Sequence, residues 1–286
     1  MILNIYVCPI CKKGLDGSKC VRCATEFEFS DGVPTFFTQS SISKRYREIG
    51  SFYDDLYQTK KNAWEDLAGR GREFVDYVAS LVASYGPERY LDAGCGQGFL
   101  LGTVSAREKF GIEISREAIR IANSRANANF CQGCIEELPY AGNYFDVVTG
   151  IGIISHLLDY LSATKEIHRV LRMGGIYILE SYLKTPVKER IMLKVSDFLY
   201  PSFRPLSLIL WVQKKCSELM NKQVIRNDSQ DNIVQPVQIP FTERSLKKLF
   251  KSTGLEIVRL ITKRKSPEAP LAGHDFRIYV LRKRKA

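Results

Sequence analysis

The sequence predicts an α/β protein: a mostly parallel sheet with helices on both faces, a small four-cysteine ribbon before it and a helical insertion late in the chain. Three observations carry this. Short apolar strands alternate with helical stretches between residues 89 and 180. The first of these strands runs into a glycine-rich turn, Gly94-Cys95-Gly96-Gln97-Gly98. Four of the eight cysteines crowd into one short segment as C-x2-C-x8-C-x2-C. A length of 286 residues accommodates one large domain and one small module. The boundaries read as 1–40 for the ribbon and 41–286 for the α/β domain, with 181–240 set into it as a substrate lid.

The ribbon comes first. Each C-x2-C pair forms a turn that aims two thiolates at one point, and two such turns supply the four sulfurs of a tetrahedral Zn2+. Cys8, Cys11, Cys20 and Cys23 are therefore the expected ligands of a structural zinc ion. Lys12, Lys13, Lys19 and Arg22 stand beside them and offset the negative charge of such a centre. With four protein ligands the metal has no open position for catalysis. The opening MILNIYVCPICKK lacks a basic segment followed by a long apolar one, so the expected location is cytoplasmic. After Cys23 come an aromatic strand, Ala24 to Phe29, a turn at Asp31-Gly32 and an extended exit, Val33 to Phe37. This stretch resembles the zinc-ribbon modules that activate or precede many methyltransferases, and the resemblance implies a folding or docking role.

The larger domain opens with helices over residues 41–85, the first capped by Ser43. In the second, Phe74, Val75, Val78, Leu81 and Val82 form an apolar stripe that Gly86-Pro87 ends. Arg89 to Ala93 is the first strand, and the glycines after it let backbone N–H groups approach a ligand. Lys109 to Ser115 is the second strand, ending in the acid Glu113, which lies where a carboxylate can accept ribose hydroxyls. A helix from Arg116, a strand from Asn129, a strand from Tyr144, a helix from Leu158, a turn at Met173-Gly174-Gly175 and a strand from Ile176 to Glu180 follow. A helix over 242–253 and strands near 255–262 and 276–283 close the chain.

The motifs LDAGCGQG, GIEIS, EELPY, YFDVV, SH and HRVLRMGGIYILE, in this order and spacing, resemble the class I S-adenosylmethionine-dependent methyltransferases, which have a Rossmann-like sheet. The subgroup is the ubiquinone/menaquinone-biosynthesis type. The resemblance covers residues 50–180 and the two closing strands. It implies S-adenosyl-L-methionine as cofactor, with Asp92, Gly94, Gly96 and Gly98 lining its methionine end. It further implies Glu113 on the ribose, Ile114 packed on the adenine, Cys134 and Ile135 at the adenine edge, and Gly150 and Ile151 beside the sulfonium. The family usually has Asp at position 134, and cysteine is a poor acceptor, so that adenine contact is weakened or passes to Glu136. Tyr53 and Trp64 are candidates for a lid over the cofactor.

An activated methyl group asks mainly for in-line positioning and exclusion of water. A hydroxyl acceptor adds a use for a base. The catalytic candidates are His156 and Tyr182, with Glu180 and His274 behind them, and His168 reads as structural. His156 has the alternative role of holding a loop.

The net charge is +11, and residues 181–286 hold 22 basic against 9 acidic side chains, so the whole excess lies there. Within 187–220, apolar residues and Trp211 are interleaved with lysines, which suits a membrane-interface face, an apolar pocket or packing on the sheet. Lys263-Arg264-Lys265 and Arg282 to Lys285 read as solvated strand ends. The favoured acceptor is a small or lipid-linked molecule methylated on oxygen or carbon, with peripheral membrane contact through 187–220. The alternative is an RNA base, since a ribbon ahead of such a domain also resembles the rRNA guanine-N1 methyltransferases. A non-catalytic cofactor-binding partner is the third reading.

Overall fold

The computed structural model describes residues 5–30, 32–59, 71–183, 237, 239–263, 265–266, 268–271 and 276–284. Most of the 181–240 insertion lies outside the described residues, as do Trp64 and His274.

The ribbon contains two short hairpins. β1 (Leu15–Asp16) pairs with β2 (Lys19–Cys20), and β3 (Glu28–Ser30) pairs with β4 (Val33–Thr35), both antiparallel. The second hairpin then joins the main sheet. β4 lies parallel to β7 (Asn129–Gln132), with Thr35 opposite Gln132. The nine-stranded order is β10-β11-β9-β8-β5-β6-β7-β4-β3. Its other members are β5 (Arg89–Ala93), β6 (Glu108–Glu113), β8 (Phe145–Gly150), β9 (Leu171–Tyr182), β10 (Leu255–Thr262) and β11 (Phe276–Lys283). From β4 to β9 the pairings are parallel, and β11 and β10 close the sheet antiparallel. The ribbon hairpin thus covers an edge of the parallel sheet that would otherwise stand open.

The order also locates a crevice. The chain leaves β5 for β6 and β7 on one side, then returns to β8 on the other. Ligands of α/β sheets bind at such a reversal, outside the carboxyl ends of the strands. Here those ends carry the turns after Ala93 and Gly150.

Helices α1 (Ser41–Thr59), α2 (Gly71–Ala83), α3 (Phe99–Thr103), α4 (Arg116–Arg125), α5 (Tyr160–Val170) and α6 (Glu243–Ser252) flank the sheet. The cap of α1 differs from the expectation. Ser40 Oγ accepts from the Ser43 amide at 3.1 Å, and the Ser43 hydroxyl is instead buried against Glu137. Ser115, Asp159 and Thr242 cap α4, α5 and α6. The expected turn at Met173 to Gly175 is absorbed into β9 as a bulge. Phe145 pairs with Leu171 and Val147 with Ile176, so the extra residues loop out, helped by Gly174 at φ +76°. His168 packs against Gly254, where a Cβ would stand 3.0 Å from its Nε2.

Ribbon and sheet share one core. Tyr6, Phe27 and Phe36 are buried in the same cluster as Phe110, Tyr140 and Phe145. The Tyr6 ring lies 4.9 Å from Phe36 and 5.6 Å from Tyr140, centre to centre. Backbone bonds seal the seam: the Val7 amide donates to Pro139 O at 2.9 Å and the Phe36 amide to Gln132 O at 2.7 Å. Among the described residues no helix is long and apolar enough to cross a membrane.

A shared core unfolds as a unit. Phe36→Ala is expected to cost about 3–5 kcal/mol. In denaturant titrations, far-UV circular dichroism and the thiol reactivity of the ribbon cysteines should change in one coincident transition. Separate transitions would show that the ribbon folds independently.

Candidate active site

The turn between β5 and α3 is shaped by close packing. A Cβ on Gly94 would come within 2.5 Å of Ile153, and one on Gly98 within 2.8 Å of Ala122, while both residues have φ near +75°. Only glycine fits there. Gly96, at φ +49°, presents its amide to Glu113 Oε2 at 3.0 Å. Beneath the turn lies Asp92, 4% exposed. Its Oδ1 accepts from the Thr149 hydroxyl at 2.6 Å, and Thr149 pairs with the Tyr90 hydroxyl at 2.7 Å. Burial pushes the Asp92 carboxyl up to about 7, with the Thr149 bond opposing and the Glu113 charge adding to the rise.

Glu113 ends β6 beside it. Its carboxylate accepts from the amides of Gly96, Ile114 and Ser115, and burial raises its pKa against those bonds. A carboxylate offers about four acceptor positions, so three amides leave Glu113 room for one further donor without rearrangement. Helix α1 lies across this corner. A Cβ on Gly50 would stand 2.8 Å from Ile114 O, and Asp54 accepts from Ser115 Oγ at 2.6 Å and the Glu117 amide at 2.9 Å. Tyr53 sits against Glu113, and burial and that charge raise its pKa. The Tyr57 hydroxyl reaches the glycine turn, 3.5 Å from a Cβ placed on Gly96.

The segment after β7 forms the next wall. Ile135 Cδ1 is 3.9 Å from a Cβ placed on Gly94. The Cys134 thiol is buried, 3.7 Å from Ser43 Oγ and 3.9 Å from Glu137 Oε2, and burial beside two acids holds it protonated. It therefore donates towards Glu137, and its sulfur is at most a weak acceptor. Glu136 Oε1 accepts from the Tyr46 hydroxyl at 2.7 Å and the Asp159 amide at 3.1 Å, while its buried Oε2 has no partner among the described residues.

Gly150 and Ile151 stand at the end of β8, and Gly150 packs against Tyr177, whose hydroxyl would lie 2.5 Å from a Cβ there. Glu180, 1% exposed, points its Oε2 towards the next turn, 3.7 Å from a Cβ on Gly152. His156 Nδ1 lies 2.7 Å from Val237 O, and the Ile239 amide donates to Ser155 O at 2.7 Å. A carbonyl only accepts, so Nδ1 carries the proton. His156 thus holds the returning end of the insertion against the mouth. Leu183 bridges Phe241 at the same place, tying both ends of the insertion together. Tyr182 ends β9 with its ring 5.3 Å from Phe276.

On the last strand the described arginines lie at both ends, Arg277 opposite Ser181 near the mouth and Arg282 at the far end. Phe276 pairs with Tyr182 at the mouth and Arg282 pairs with Ile176 at the opposite end. Arg282 and Arg284 are therefore remote from the crevice.

The four ribbon sulfurs lie within 4.8 Å of one another. Cys8–Cys23, Cys11–Cys20 and Cys11–Cys23 are 3.6, 3.4 and 3.9 Å apart. Sulfurs about 2.3 Å from a tetrahedral zinc ion are about 3.8 Å apart, so the donor set fits that metal. Both knuckles end in a left-handed residue, Lys12 at φ 58° and Ala24 at φ 56°. The amides of Arg22 and Cys23 point at Cys20 Sγ.

Several site residues have no local signal in the sequence. Asp54, Tyr46 and Ser43 act on partners 61 to 94 positions away. Each looks like an ordinary helix-face or loop residue until the chain is folded.

Residues 87–239 match the family model described as a methyltransferase domain. The chain is 28% identical over 165 residues to 27-O-demethylrifamycin SV methyltransferase of Amycolatopsis mediterranei, covering 52% of this chain and 61% of that protein. It is 27% identical over 166 residues to demethylmenaquinone methyltransferase of Chlorobaculum parvum, covering 54% and 66%. The chain thus spans less than two thirds of either relative's length. The fold is that of Burkholderia thailandensis 1,6-didemethyltoxoflavin-N1-methyltransferase, solved with S-adenosylhomocysteine: TM-score 0.54 at 15% identity, covering 91% of this chain and all of that one. The glycine turn, the acid closing the second parallel strand and the wall after the third all fall inside the matched region, and the chain belongs to the methyltransferase-domain family.

Proposed function

We propose that this chain is an S-adenosylmethionine-dependent methyltransferase acting on a small or lipid-linked acceptor. One observation carries the reading: the close-packed glycine turn, buried Asp92 and the Glu113 carboxylate meet at the sheet's point of reversal. Relatives named for rifamycin and demethylmenaquinone acceptors support the substrate class. The RNA reading gains nothing from Arg282 and Arg284, which lie at the far end of the sheet.

In this reading Asp92 and the turn from Gly94 to Gly98 hold the methionine end, and Glu113 accepts from the ribose. Ile114, Cys134 and Ile135 flank the adenine, with Glu136 Oε2 as a stronger acceptor than the Cys134 sulfur. Gly150 and Ile151 border the reacting methyl group, which the bound cofactor supplies already activated on sulfur. The residues around it position the acceptor in line and keep water out. Tyr182 lines the mouth, and His156, fixed through Nδ1 on Val237 O, is the candidate to take an acceptor's proton. Structural Zn2+ on Cys8, Cys11, Cys20 and Cys23 completes the ribbon.

Calorimetry with S-adenosylhomocysteine tests the cofactor site. The chain should bind one equivalent, and Glu113→Gln should weaken binding by about tenfold or more. Unchanged affinity in that variant would remove Glu113 from the site.

Asp92 gives a pH signature. Its folded pKa of about 7 lies above the ordinary 3.8, so the folded state keeps a proton the unfolded chain has released. The ligand-free protein should lose stability as pH rises from about 4 through 7. Asp92→Asn should be the more thermally stable form at pH 8, and its stability should vary less across that window. Affinity for cationic S-adenosylmethionine should fall as pH drops below 7, and Asp92→Asn should flatten that dependence. A flat profile in the unsubstituted protein would contradict the role.

Methyl transfer from labelled cofactor into fractionated extract tests the acceptor class. Label should enter the organic-solvent fraction; label in RNA would replace this reading with the nucleic-acid one.

A further inference from the structure

We propose that metal occupancy in the ribbon and cofactor affinity at the glycine turn are energetically coupled, with Lys12 as the positioning residue that joins them. This rests on the cofactor reading above and goes beyond it by giving the ribbon a part in cofactor binding.

The path is short. Lys12 directly follows the ligand Cys11, and its amide closes the first knuckle on Cys8 O at 2.8 Å. Its ammonium leaves the ribbon and donates to Leu138 O at 3.2 Å and Glu166 Oε2 at 2.6 Å. Glu166 also holds Arg169, which donates to Leu138 O at 3.1 Å and Tyr140 O at 2.7 Å. The Val7 amide takes the carbonyl between them, Pro139 O. Three consecutive carbonyls are thereby held, two of them from the ribbon. Leu138 is only three residues from Ile135, which packs beside Gly94. Between them, Glu137 accepts from Ser43 at 2.7 Å and Thr38 at 2.8 Å, tying in α1 and the ribbon's exit.

Core packing holds the ribbon on the sheet, and the metal adds to what fixes its first knuckle in this posture. Its first hairpin has strands of two residues each, too short to be stable alone. Metal binding to such a module supplies its folding energy. Losing the metal frees the first knuckle, and with it Lys12 and Val7. Coupling between two ligands is reciprocal, so the cofactor must tighten the metal by the same factor that the metal tightens the cofactor.

The test uses the full chain loaded with zinc. Zinc affinity is measured by chelator competition with and without saturating S-adenosylhomocysteine, and S-adenosylhomocysteine affinity by calorimetry before and after zinc removal. Each ligand should tighten the other by about fivefold or more, by the same factor in both directions. Should the stripped chain unfold, the chelator competition on loaded protein still reads the coupling. Lys12→Met should keep one zinc per chain, an unchanged circular dichroism spectrum and binding of both ligands, yet lose most of the coupling, and Lys12→Arg should retain it. Equal zinc affinity with and without S-adenosylhomocysteine overturns the coupling. Full coupling in Lys12→Met overturns the role of Lys12. Absence of S-adenosylhomocysteine binding by the zinc-loaded chain overturns the cofactor reading itself, and the coupling with it.

Discussion

The segment from Cys134 to Tyr140 is gripped from every side, and the rest of the site depends on that grip. Its carbonyls are taken by Val7, Lys12 and Arg169, and its acids by Tyr46, Ser43, Thr38 and the amide of Asp159. Buried backbone carbonyls and carboxylates without such donors would each cost free energy. By satisfying them, the ribbon, α1 and α5 are fixed relative to one another. Ile135, and through it the glycine turn, inherits that placement.

Electrostatics work in the same direction. Asp92, Glu113, Glu136 and Glu180 are held inside the α/β domain, and burial lifts the first three above the ordinary carboxylate range. A sulfonium cofactor is cationic, and an interior that resists extra negative charge is one a cation relieves. The positive excess of the chain has a different geography. Part of it sits on α6, where Arg244, Lys247, Lys248 and Lys251 form the exposed face opposite buried Leu246, Leu249 and Phe250. Another part lies at the far end of the sheet with Arg282 and Arg284.

Much of this was legible in the sequence because it is local. Alternating apolar runs mark the strands, and the closing strands fall where their pattern places them. C-x2-C spacing brings sulfurs together because each knuckle is a turn of four residues. Asp92 to Gly98 and Glu113 are recognisable since one strand and one turn set each of them. What escaped was long-range. Nothing around Thr35 announces that its strand will lie parallel on β7. Nothing around Ser43 distinguishes a helix cap from a buried donor to Glu137. His156 carries both meanings in sequence, and only the carbonyl of Val237 at 2.7 Å shows it holding the insertion. Met173 to Gly175 reads as a turn, yet β9 continues through it because Gly174 can take the conformation of a bulge.

The most direct measurement is a crystal structure of the zinc-loaded chain grown with S-adenosylhomocysteine. Ligand density is expected over the turn from Gly94 to Gly98, with a ribose hydroxyl on the Glu113 carboxylate and the base between Ile114 and Ile135. Ligand density elsewhere, or a Glu113 carboxylate still turned wholly to the amides of Gly96, Ile114 and Ser115 with no ribose contact, would contradict this placement.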